Sequence, residues 1–105
     1  MDLLRGTLDT LILRALSAGP LHGYGIVDWI RRTTDDALQI EDGALYGALH
    51  RMGDRGLLDA EWGVSEKGRR AKFYELTPAG RRELERGRHE WEAYAEAVAK
   101  VFEGS

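Results

Sequence analysis

Gly68-Arg69-Arg70-Ala71-Lys72-Phe73-Tyr74-Glu75-Leu76-Thr77-Pro78-Ala79-Gly80 is the stretch on which the fold turns. With Lys67 just ahead of it, four positive charges (Lys67, Arg69, Arg70, Lys72) crowd around one glycine. Phe73-Tyr74-Glu75-Leu76 reads as strand, since an aromatic pair fits a pleated, half-buried surface. Thr77-Pro78 reads as a helix N-cap followed by proline at the first helical position, where the missing N–H has no intrahelical partner to lose. A turn this basic suits a phosphate backbone better than a protein core.

Upstream of it, Leu57-Leu58-Asp59-Ala60-Glu61-Trp62 has the look of a second strand, with residues 63–71 as loop and 72–76 as the return strand. Two short strands joined by a glycine-bearing loop predict a hairpin. Three helices precede it. Leu8, Leu11, Ile12, Ala15 and Leu16 recur at helical spacing, predicting a first helix over residues 7–18 that Gly19-Pro20 stops. A second is predicted over residues 23–32, with Ile26, Val27 and Ile30 inward, ended by Thr33-Thr34-Asp35-Asp36. A third starts near Asp42, whose carboxylate can cap it, buries Leu45, Leu49 and Met52, and ends at Gly53 and Gly56. A last helix is predicted from Pro78 to Phe102, on the order of 37 Å long.

The expected fold class is mainly α with a small β-hairpin: a winged helix-turn-helix over residues 1–76 and a long C-terminal helix over residues 77–105. In such a module the third helix enters a major groove while the hairpin loop follows the backbone.

At 105 residues the chain is sized for one core, and 43% apolar with 31% charged residues is a globular balance. There is no cysteine, hence no disulfide, thiolate metal site or cysteine nucleophile. Asp2, Arg5 and Asp9 interrupt the N-terminal leucines, which argues against a signal peptide, and no apolar run approaches membrane-spanning length. A cytoplasmic protein with no membrane partner is the expectation. His22, His50 and His89 share no ligand spacing, so no metal and no cofactor is expected. No G-x-S-x-G or phosphate-binding glycine loop is present, so neither is catalysis.

The net charge of −3 argues mildly against a nucleic-acid partner. Residues 65–82, however, hold six basic residues (Lys67, Arg69, Arg70, Lys72, Arg81, Arg82) against Glu66 and Glu75, a local +4. A local basic face is the footprint that matters. With Leu45 at the centre of the third helix's buried face, Tyr46, Gly47 and His50 fall opposite and Arg51 at the edge. The expected DNA contacts are therefore Tyr46, His50 and Arg51 on the helix and Lys67, Arg69, Arg70 and Lys72 on the wing.

Leu84, Trp91, Tyr94, Val98 and Val101 follow a heptad pattern in the last helix, widened by Ala95 and Phe102. A domain of this size cannot cover so long a stripe, and an uncovered one marks an interface. Leu84 is expected to face the chain's own first helix, and the distal half (Trp91, Tyr94, Val98, Val101, Phe102) a second copy in a two-fold dimer. Gly87 occupies a heptad core position, as if to admit a bulky side chain of the partner. A homodimer suits a pseudo-palindromic site on double-stranded DNA, with half-sites about 34 Å apart.

Six segments together resemble the PadR-type transcriptional regulators, of the short class with a single C-terminal helix. They are Leu3-Leu4-Arg5-Gly6, Gly19-Pro20-Leu21-His22-Gly23-Tyr24-Gly25-Ile26, Gly43-Ala44-Leu45-Tyr46, Leu49-His50-Arg51-Met52, Arg55-Gly56-Leu57-Leu58 and Leu76-Thr77-Pro78-Ala79-Gly80. The resemblance implies a homodimeric repressor, of a kind that in some members releases its operator when a small, often aromatic, ligand binds, with Trp91 at the dimer interface as a plain anchor or, as the lesser alternative, a ligand contact. Such a ligand, felt at Trp91, is expected to act through Thr77-Pro78. Ala44 and Gly47 depart from the hydroxyl residue and proline that often flank the Leu-Tyr pair, so an operator sequence is not carried over. The alternative reading is a winged-helix protein-protein interaction module without an operator.

Overall fold

In the computed structural model, which describes residues 3–104 and the side chains from Gly6 onward, α1 (Leu3–Ala15) begins ahead of residue 7 and tightens into a 3₁₀ turn at Leu16–Ala18. Asp2 and the side chains of the Leu3-Leu4-Arg5 segment lie outside the described residues. Strand β1 (Leu21–His22), α2 (Gly23–Thr33), α3 (Asp42–Asp54), β2 (Leu58–Val64), β3 (Arg70–Leu76) and α4 (Pro78–Glu103) follow. This is a winged helix-turn-helix: mainly helical, with a small antiparallel sheet in the order β1-β3-β2.

The sheet has one strand more than the hairpin expected. β1 pairs with β3, Leu21 opposite Tyr74 and His22 opposite Phe73. Two residues are too few to show an alternating pattern. The hairpin strands are also longer than expected and the loop shorter. Gly63 lies inside β2 because the Phe73 ring covers it; a Cβ there would stand 3.1 Å from the ring. At the tip the Gly68 amide donates to the Ser65 carbonyl (2.9 Å) and the Ser65 amide to the Arg69 carbonyl (2.8 Å). Gly68 has φ +75°, so the loop is a three-residue turn closed by a left-handed glycine.

Among the described residues, twelve large apolar side chains form one core: Ile12, Leu13 and Leu16 from the first helix and its 3₁₀ turn, Ile26 and Ile30 from α2, Leu45, Leu49 and Met52 from α3, Leu57, Leu58 and Leu76 from the sheet region, and Leu84 from α4. Burying a leucine or isoleucine is worth roughly 1.5–3 kcal/mol, so this cluster supplies the dominant favourable term. The expected cap at Asp42 is corrected. Glu41 occupies the N-cap position with no side-chain bond, and Asp42 sits in the first turn, where its charge complements the helix dipole.

The start of α4 is tied to the turn before β2. The Gly80 amide donates to the Thr77 hydroxyl oxygen (3.0 Å), and that hydroxyl donates to the Gly56 carbonyl (2.7 Å). The Thr77 amide donates to the Leu57 carbonyl at 3.1 Å. Gly80 itself lies against that carbonyl, where no Cβ would fit. Further along, Gly87 is buried against Thr10 of α1. The close approach that demands glycine there comes from the chain's own first helix, which corrects the expected role of a partner side chain. Among the described residues no helix is long and apolar enough to cross a membrane.

Candidate nucleic-acid interface

The register of the hairpin decides which way its charges face. Leu58, Ala60, Trp62 and Val64 of β2 stand opposite Leu76, Tyr74, Lys72 and Arg70 of β3. Side chains alternate between faces, so these eight share one face. It begins in the core at Leu58 and Leu76 and ends exposed at Trp62, Val64, Lys72 and Arg70. Burial at one end of a strand pair thus orients the cations at the other.

The described cations divide into those that meet a carboxylate and those that do not. Arg31 and Arg32 are held by Asp28, Arg55 and Arg86 by Glu83, Arg88 by Glu92 and Lys100 by Glu96. Among the described residues, Lys67, Arg69, Arg70 and Lys72 have no carboxylate at ion-pair distance; nor have Arg14 and Arg81, which meet Ser17, nor Arg82. Two of the wing cations rest on aromatic rings instead: Lys67 lies 5.7 Å from the Tyr24 centroid and Arg70 4.5 Å from that of Trp62. A ring face fixes a cation without neutralising it.

Tyr46 projects from α3 toward the same side, half exposed, with its phenol packed against Gly23 at the start of α2. Burial, with Tyr46 close by, pushes the Tyr74 hydroxyl above its ordinary pKa. His22, Tyr24, Tyr46, Trp62 and the wing residues line one groove of about 580 Å³. His50 is exposed on α3 and stands 3.3 Å from Asp54, one turn on. Arg51 lies differently: its guanidinium meets Asp9 of α1 at 3.1 Å, bracing α3 from behind instead of joining the groove. Tyr24 and Trp62 were not singled out by the sequence reading. Strand alternation from Lys72 would have found Trp62; Tyr24 becomes visible only once β1 brings the start of α2 beside the wing.

On α4, Trp91 and Tyr94 are 49% and 42% exposed with ring centroids 6.0 Å apart, and Val101 and Phe102 are 76% and 82% exposed. Val98 is half-buried. A cleft of about 600 Å³ opens beside Trp91 and Tyr94, between α1 and α4. Its lining also includes Met52 of α3 and Arg55, which caps that helix.

Residues 12–86 match the model of the transcriptional regulator PadR-like family. The chain is 30% identical over 103 residues to Uncharacterized protein X of Lysinibacillus sphaericus, covering 98% of this chain and 94% of that one. It is 33% identical over 94 residues to a transcriptional regulator of Mycobacterium tuberculosis, covering 90% of this chain and 84% of that one. A solved transcriptional regulator from Clostridium thermocellum superposes with a TM-score of 0.84 at 33% identity, over 95% of this chain and 97% of that one.

Proposed function

The chain belongs to the transcriptional regulator PadR-like family, whose members are DNA-binding regulators and not enzymes, and we propose that it acts as a homodimeric repressor. Tyr46 and His50 face the major groove, and Lys67, Arg69, Arg70 and Lys72 take phosphates along the backbone. The observation that carries this reading is that, among the described residues, all four wing cations are left without carboxylate partners, as are Arg14, Arg81 and Arg82 elsewhere, while Arg31, Arg32, Arg55, Arg86, Arg88 and Lys100 are ion-paired. Arg51 drops out of the contact set, because Asp9 already holds it.

The second copy seats on the distal half of α4, where Trp91, Tyr94, Val98, Val101 and Phe102 would leave water together. The heptad spacing and the exposure of four of these five support it. The cleft beside Trp91 would take the small aromatic effector, whose differential fit to the bound and free states shifts the operator equilibrium.

The test is direct. The chain should show a dimer mass in light scattering at micromolar concentration. It should also bind a duplex from its own upstream region with nanomolar affinity. A monomer mass removes the dimer. A failure across all such duplexes, with a tight protein partner recovered in pull-downs, transfers the reading to a protein-protein module.

A further inference from the structure

Glu66 is the one carboxylate in the wing turn, next to Lys67 and close in sequence to Arg69 and Arg70. Free to swing, it would neutralise one of these cations and repel phosphate. It has another partner. His22 Nε2 stands 3.4 Å from Glu66 Oε2, across 44 residues of sequence. His22 is fixed from its other side, since the Gly25 amide donates to Nδ1 at 2.9 Å as the N-cap bond of α2. Its ring also meets Phe73 edge-on, with centroids 5.3 Å apart, and only 12% of the side chain is exposed. Because Nδ1 accepts, the proton of the neutral ring sits on Nε2 and is donated to Glu66. Glu66 lies below its ordinary pKa through its own backbone amide and then through His22, so it stays a carboxylate.

We propose that His22 is a positioning residue for the wing: it draws Glu66 aside and so keeps the charge of Lys67, Arg69, Arg70 and Lys72 available to phosphate. The inference rests on the assignment of the wing to DNA.

The experiment is the salt dependence of binding to a random-sequence duplex of about 25 base pairs, long enough for the non-specific, phosphate-driven mode. His22→Asn keeps an N-cap side chain but is too short to hold Glu66. It should weaken binding several-fold and lower the slope of log K against log salt by about 0.9, one phosphate contact. Adding Glu66→Gln in the same chain should restore both, which repair of a merely structural defect would not do. Glu66→Gln alone should leave the slope unchanged, because the carboxylate is already diverted, and this variant stands even if His22→Asn fails to fold. The proposal is overturned if His22→Asn leaves the slope unaltered, if the double variant stays weak, or if Glu66→Gln alone steepens the slope by about 0.9. A parent chain that binds no duplex would remove the DNA assignment itself, a separate result.

Discussion

Gly80 and Gly87 are both helical, yet neither is there for the helix. Alanine is better than glycine in a helix by about 1 kcal/mol. Each of these two is held by what faces it: the Leu57 carbonyl at Gly80 and the Thr10 side chain at Gly87. Gly53, in α3, has nothing within 4 Å of where its Cβ would be. Gly80→Ala and Gly87→Ala should therefore destabilise the fold by about 1–3 kcal/mol, the range for forced overpacking. Gly53→Ala should stabilise it by about 0.5–1 kcal/mol. Urea unfolding gives all three values, and a shared sign would contradict the account. Gly87 shows why sequence alone misplaced this role: heptad position tells that something approaches, not which helix supplies it.

At the scale of elements, Arg55, which caps α3, is joined to α4 through Glu83. Hydrogen bonding from Arg86 holds its carboxyl below its ordinary value of 4.5, and the Arg55 charge adds to this. A carboxyl depressed by folding adds stability that is present above its unfolded pKa and lost as pH falls through the folded one. Glu83→Gln should lower the Tm at neutral pH, and the gap should close as the pH drops below 4.5. A gap that stays constant into acid would contradict it. The elements were unevenly legible in sequence. Three helices and the α4 start followed from apolar spacing, Gly19-Pro20 and Thr77-Pro78, because each signal is local. β1 was missed because it exists only through its pairing with β3. The ends of β2 and β3 were missed because Gly63 and Arg70 look like loop until Phe73 and Trp62 are seen to cover them. The basic residues of the wing were legible as a group; that no carboxylate meets them depends on distances no sequence carries.

For the whole molecule, a net charge of −3 and a DNA partner are reconciled by segregation. The carboxylates of α4 hold Arg86 and Arg88 of the same helix, while the wing cations meet no carboxylate among the described residues. The molecule is 55 Å long and α4 has 26 residues. In the proposed dimer, two copies joined along the distal half of α4 would present two wings and two α3 helices, the number that a two-fold site requires. Phosphate neutralisation is what the proposed wing contact would contribute, and counterion release makes that contribution countable. The most direct test compares the slope of log K against log salt for the parent chain and for the Arg69→Ala/Arg70→Ala variant on the same duplex. The account predicts a slope shallower by about 1.8 per wing engaged, two contacts at about 0.9 each. An unchanged slope and affinity would contradict it, and the wing would then have to be taken off the DNA.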